Sequence, residues 1–249
     1  MRLVIFDLDC TLLTGDSDEY WLRFLIDKGI VDHGEIEQRN ADIQSRYAKG
    51  EATAEEFCFF YLSLLRGHSR ADLDRWHQEF MRTVIVPNLP LASLDLLRSE
   101  RPRADLLMMS TATNRFLTIP IAKYLGIEHL IATDPEENPD GSFTGGCTGI
   151  PNMRANKVTR LDAWLRARGQ QLDDFSESWF YSDSRNDLPL LSRVTNPVVV
   201  DPDRELERHA QHHGWPILHI HPPQHAPQES PSRSRDPSAP GLTAAPQAD

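Results

Sequence analysis

The sequence predicts an α/β protein: a parallel sheet covered by helices, with an all-helical insert after its first strand. Three observations predict it. Residues Arg2 to Phe6 form a short apolar run that stops abruptly at Asp7, as a buried strand does. From about Asp16 to Val84 the apolar residues fall at helical spacing, as in Tyr20, Trp21, Phe24 and Leu25, then Phe57, Phe60, Tyr61, Leu64 and Leu65. Beyond that stretch apolar runs return and alternate with helix-like segments, the pattern of parallel strands joined by crossover helices.

Taken in order, Arg2 to Phe6 is the first strand, and its two β-branched residues suit a pleated, buried position. The aromatic-rich helical stretch is read as a cap, residues 15–85, with Phe57, Phe59, Phe60, Tyr61, Trp21 and Trp76 expected in its core. The returning strands are Leu106 to Met109, His129 to Ala132, Trp179 to Tyr181 and Pro197 to Val200, with Val158 to Arg168 among the helical segments between them. Residues 1–14 and 86–221 therefore form one α/β core. The stretch Asp140 to Gly149 alternates turn formers with apolar or β-branched residues and is expected to be an exposed hairpin with a structural role. Residues 222–249 are rich in Pro, Ser, Gln and Ala and have little to bury, so they are expected to be a disordered tail.

Composition narrows the function. A chain of 249 residues holds one substantial core and at most one further small domain. No apolar stretch approaches the roughly 20 residues needed to cross a bilayer, and the run before Asp7 is too short for a signal peptide, so a cytoplasmic protein without a membrane partner is expected. A formal charge of −11 gives no electrostatic reason to bind nucleic acid. Cys10, Cys58 and Cys147 are widely spaced and odd in number, without a metal-ligand pair, so free buried thiols are expected. The histidines His209, His212, His213, His219, His221 and His225 are dense but do not follow a metal-site spacing. Oligomeric state is left open.

The chemistry gathers at the strand ends. Asp7-Leu8-Asp9-Cys10-Thr11 follows the first strand directly, and parallel sheets bind ligands at the carboxyl ends of their strands. Two carboxylates there repel each other and call for a cation. A second acidic cluster, Ser182-Asp183-Ser184-Arg185-Asn186-Asp187, follows another strand. Between them lie Ser110-Thr111-Ala112-Thr113-Asn114 and Asn156-Lys157. Each alone suits a turn or a helix cap. Together they supply a carboxylate nucleophile, hard oxygen ligands, a cation and hydroxyl donors, which is what phosphoryl transfer requires. Cys10 is expected to point away from the site as a small buried hydrophobe.

This order resembles the haloacid dehalogenase superfamily of phosphotransferases, whose four motifs match as Asp7-x-Asp9-x-Thr11, Thr111, Lys157 and Asp183-x-x-x-Asp187. The helical insert is similar to the cap of its phosphoserine phosphatase branch. The resemblance implies a Rossmann-like core and a Mg²⁺-dependent phosphomonoesterase. It implies that Asp7 attacks phosphorus while Asp9 serves as acid and then base. Mg²⁺ would be held by Asp7, Asp183 and the main-chain carbonyl of Asp9, with Asp187 acting through water or steadying the ligands. Thr111, with Ser110 as second choice, and Lys157 would meet the phosphoryl oxygens.

The substrate is expected to be a small phosphorylated metabolite. By the branch's spacing Asp16 falls near the place of a Glu that holds an ammonium group, and Tyr61 near that of an Arg that holds a carboxylate. Losing that Arg counts against phosphoserine unless Arg39, Arg46 or Arg66 substitutes, whereas an ester with a cationic end, such as histidinol phosphate, suits Asp16, Asp18 and Glu19. A phosphotransferase with another acceptor and a catalytically silent binding protein are the alternatives.

Overall fold

A computed structural model describes residues 1–221; the expected tail and His225 lie outside the described residues. Its main sheet has six parallel strands in the order β3-β2-β1-β6-β7-β8. These are β1 (Arg2–Phe6), β2 (Leu106–Asn114), β3 (His129–Thr133), β6 (Glu177–Ser182), β7 (Asn196–Val200) and β8 (Ile217–Leu218). β1 is central, pairing Ile5 with Met108 of β2 and with Phe180 of β6.

Period-two alternation on β1 builds two cores. Val4 and Phe6 face one side of the sheet, with Leu97 of α5 (Leu91–Glu100) and Leu117 and Ile121 of α6 (Arg115–Tyr124). Leu3 and Ile5 face the other, with Leu161 and Leu165 of α7 (Ala155–Arg166), Leu190 and Leu191 of α8 (Leu188–Leu191), and Leu206 of α9 (Arg204–His213). A strand covered on both faces reads as an unbroken apolar run, which is why Leu3 to Phe6 shows no polar residue.

Between β1 and β2 the chain forms α1 (Ser17–Asp27), α2 (His33–Lys49), α3 (Ala54–Ser63) and α4 (Arg70–Phe80), then a π-helical turn at Met81–Ile85. Each of the four helices begins with a side-chain cap, from Asp16, Asp32, Thr53 and Ser69, and Thr53 and Glu56 complete a capping box. The fold is thus the expected Rossmann-like parallel core with an inserted helical cap. Trp21 anchors the insert: its ring packs against Phe24 and Phe80 and, at 6.1 Å, against Phe116 of α6. The apolar core is continuous from the sheet face into the insert.

The hairpin differs from expectation. β4 (Pro135–Glu137) pairs antiparallel with β5 (Phe143–Cys147), but β5 packs on α3, and Phe143 is buried against Phe116 with the Arg70 guanidinium 4.6 Å above its ring. It braces the insert against the core. Among the described residues no single helix is long and apolar enough to cross a membrane. The three cysteines are free, but only Cys58 is buried as expected; Cys10 and Cys147 are half-buried.

Candidate active site

β1 has β2 on one side and β6 on the other, so the crossovers diverge around it, and the crevice at these strand ends is where open α/β sheets take ligands. Asp7 leaves β1 with its N–H donating to the Tyr181 carbonyl at 3.0 Å. Its Oδ1 accepts from the Leu8 N–H at 2.9 Å and lies 3.1 Å from Lys157 Nζ, which leaves Oδ2 open. Lys157, in the first turn of α7, is 2% exposed and also donates to Asp187 Oδ2 at 2.7 Å. That same oxygen accepts from Ser182 Oγ at 2.7 Å. Asp183 Oδ1 accepts from Thr11 Oγ1 at 3.1 Å, tying the two acidic clusters together.

Asp9 is held from both sides. Its Oδ1 accepts from the Ser17 N–H at 2.7 Å, and its Oδ2 accepts from Thr113 Oγ1 at 2.7 Å and Thr111 Oγ1 at 3.4 Å. Thr111 and Thr113 share a face of β2, and it is Thr113 that lines the cavity. Ser110 lies on the opposite face, where its hydroxyl accepts from Asn152 Nδ2, so it is no substitute for Thr111.

The cavity measures about 360 Å³ and is lined by seven aspartates, Asp7, Asp9, Asp16, Asp18, Asp183, Asp187 and Asp203, against the three cations Arg154, Lys157 and Arg185. Burial pushes the Asp7 carboxyl well above the ordinary carboxylate range, with Lys157 pulling the other way. Burial, then repulsion from Asp187, pushes Asp183 up to about 8; burial, then Asp9, pushes Asp16 up to about 7; Asp18 is also raised well above its ordinary value, chiefly by burial. These groups gain from any cation that enters.

Among the described residues no three carboxylate, imidazole or thiol side chains converge as a preformed metal cage. The donor set nevertheless suits Mg²⁺. Asp7 and Asp183 present hard oxygens beside the Asp9 main chain, and Mg²⁺ keeps several waters instead of filling its sphere with protein groups. Asp187 Oδ2 is taken up by Lys157 and Ser182.

Cys10 departs from expectation. The strand ends at Phe6, and Thr11, Leu12 and Leu13 all turn back to donate to the Leu8 carbonyl, so strand alternation does not reach Cys10. It adopts φ 54° and lines the cavity. Burial raises its thiol pKa, with the surrounding aspartates adding to the effect, so it stays protonated.

The insert brings Asp16, Asp18, Gln44, Tyr47 and Phe57 to the cavity. Arg39, Arg46 and Arg66 lie elsewhere, on pockets lined by other insert residues. Tyr61 is buried and hydrogen bonded within the insert. The arginine that does face the cavity is Arg154, with φ 51° just before α7 and its guanidinium 4.4 Å from the Tyr47 ring centroid. Its lone sequence signal was a place one turn before Lys157. Gln44 carried none, as one of many polar residues on α2.

Residues 4–192 match the family of haloacid dehalogenase-like hydrolases. A histidinol-phosphatase of Neisseria meningitidis serogroup C (strain 8013) is 40% identical over 219 residues, spanning 88% of this chain and 99% of its own length. Phosphoserine phosphatase SerB1 of Mycobacterium tuberculosis (strain ATCC 25618 / H37Rv) is 26% identical over 217 residues, spanning 85% and 68%. A solved structure of a protein of unknown function from Bordetella pertussis Tohama I superposes with a TM-score of 0.85 at 47% identity, covering 88% of this chain and 99% of that one. A substrate-bound phosphoserine phosphatase superposes at 0.61 with 16% identity, covering 87% and 91%, a likeness of fold alone.

Proposed function

The chain belongs to the haloacid dehalogenase-like hydrolase family and is a phosphatase of small phosphorylated metabolites, and on that premise we propose that it is a Mg²⁺-dependent phosphomonoesterase working through an aspartyl-phosphate on Asp7. The observation that carries the reading is Lys157, buried and 3.1 Å from Asp7 and 2.7 Å from Asp187, at the diverging ends of β1 and β6.

Asp7 Oδ2 is the attacking oxygen, since Oδ1 is occupied by Leu8 and Lys157. As the P–O bond to the alcohol breaks, Asp9 gives its proton to the departing alkoxide. It then takes a proton from the water that attacks the phosphoaspartate, freeing Asp7 and inorganic phosphate. Lys157 and Thr111 are the proposed partners of the phosphoryl oxygens, with Thr113 holding the Asp9 carboxyl in position. Asp7, Asp183 and the Asp9 carbonyl are the proposed holders of Mg²⁺, which when bound supplies charge screening between a carboxylate nucleophile and a phosphate dianion. Residues 15–85 act as the cap over a core of residues 1–14 and 86–221.

For substrate we favour an ester with a cationic end, of the histidinol phosphate kind. Asp16 and Asp18 face the cavity, and the 40% identical relative bears that activity in its name. Arg154 favours a second reading, since a guanidinium in the cavity suits the carboxylate of phosphoserine. A phosphate-release screen with and without Mg²⁺, on wild type and Asp7→Asn, decides both. Mg²⁺-dependent release that vanishes in the variant is expected, with histidinol phosphate preferred over phosphoserine. Equal turnover of neutral sugar phosphates would sink the substrate reading, and release by Asp7→Asn would sink the mechanism.

A further inference from the structure

Gln44 reaches the cavity from α2, and its amide is held by a network that fixes which of its two ends faces outward. Gln44 Nε2 lies 2.9 Å from Glu19 Oε1 and 2.7 Å from the Tyr61 hydroxyl. A carboxylate only accepts, so the amide atom against Glu19 is the nitrogen. Its second hydrogen goes to Tyr61. The Tyr61 proton in turn goes to Asn40 Oδ1 at 3.0 Å, and Asn40 Nδ2 donates back to Glu19 Oε1 at 3.0 Å. Both Gln44 Nε2 hydrogens are thereby engaged inside the network, and the Tyr61 hydroxyl has Glu19 Oε1 at 3.3 Å as its other acceptor there. Asn40 and Tyr61 are 7% and 3% exposed, so turning the network over would strand buried donors without partners.

The amide atom that the network leaves over is Gln44 Oε1, an acceptor, on a side chain that lines the cavity. Asp16 and Asp18 line the cavity beside it and add carboxyl oxygens. We propose that Gln44 Oε1 is a specificity contact accepting an N–H from the nitrogenous end of the substrate, an ammonium or an imidazole N–H. Glu19, Asn40 and Tyr61 are positioning residues that hold the amide this way round. The inference rests on the phosphomonoesterase reading above and narrows its substrate class. A site built around a fixed acceptor discriminates strongly against an ester without the matching donor.

The test is steady-state kinetics of the full chain on histidinol phosphate and on propyl phosphate, whose alcohol carries no donor. Gln44→Met keeps the side chain's length and removes the acceptor. It is expected to lower the ratio of kcat/KM for histidinol phosphate over propyl phosphate by about tenfold to a hundredfold, mainly through KM. Tyr61→Phe keeps the ring, frees one Nε2 hydrogen, and should lower the same ratio a few-fold. This second variant carries the test should Gln44→Met not fold. A ratio unchanged in both variants, even with both activities reduced, makes the network merely structural and overturns the inference. A wild type that does not prefer histidinol phosphate instead overturns the substrate reading beneath it, an outcome visible before any variant is made.

Discussion

Lys157 shows how one buried side chain is set by opposing forces. Burial alone lowers a lysine's proton affinity, but the Asp187 and Asp7 carboxylates outweigh it and hold the ammonium above its ordinary value. Replacing one member of such a group leaves charge buried without its partner, which costs about 3–5 kcal/mol. Lys157→Met is therefore expected to lower stability by about 3 kcal/mol in denaturant unfolding and kcat by at least about 100-fold. A variant within about threefold of wild-type kcat would remove Lys157 from the proposed machinery. Asp7, Asp9, Lys157, Asp183 and Asp187 were legible in the sequence because each directly follows a strand or opens a helix, and local apolar patterns mark those ends. Thr113 was harder to see. Period-two alternation places it on the same face as Thr111, and only the bend of the chain decides which hydroxyl comes within 2.7 Å of Asp9. Gln44 has no mark in the sequence and Arg154 only its place before Lys157, because both reach the cavity through packing between distant segments.

Among the elements, α6 has a starting residue with two duties. Asn114 Oδ1 accepts from the Leu117 N–H at 3.1 Å, capping α6, while its Nδ2 donates to Asp18 Oδ1 at 3.3 Å. One amide thus starts a core helix and steadies the first turn of α1 in the insert. Asn114→Ala should lower stability by about 1–2 kcal/mol in urea unfolding, at the upper end of cap losses because the Asp18 contact goes with it. A loss of only a few tenths would mean that water replaces both bonds. Strands β1, β2, β3, β6 and β7 were readable as apolar runs, and β2 exceeds its run because Ser110 to Asn114 continue it, with Thr111, Thr113 and Asn114 facing Asp9 and Asp18. β8 was not readable, since a two-residue strand is defined by its neighbour β7 and by no pattern of its own. The β4–β5 hairpin was legible as a hairpin, but its place against α3 depends on Phe143 meeting Phe116, a contact across residues distant in sequence.

Across the whole molecule, the concentration of buried carboxylates links stability to pH. Asp7, Asp16, Asp18 and Asp183 all have folded-state pKa values above the ordinary 3.8, with Asp16 near 7 and Asp183 near 8. Groups raised in this way make the folded state bind more protons than the unfolded one between about pH 4 and 8. Stability therefore falls as pH rises through that window, the opposite of the usual acid-labile carboxylate. The opposite case is Asp134, which burial alone would raise but which Arg115 and Arg160 hold low, so its contribution is lost only under more acidic conditions. Without Mg²⁺, the thermal midpoint is expected to drop steadily from pH 5 to pH 8. A divalent cation that binds the ionised carboxylates stabilises the folded state most where they are most ionised. Adding Mg²⁺ should raise the midpoint little at pH 5 and by several degrees at pH 8, flattening the curve. Parallel curves with and without Mg²⁺ would mean that the ion does not bind at these carboxylates, and the metal part of the proposed mechanism would fall with them.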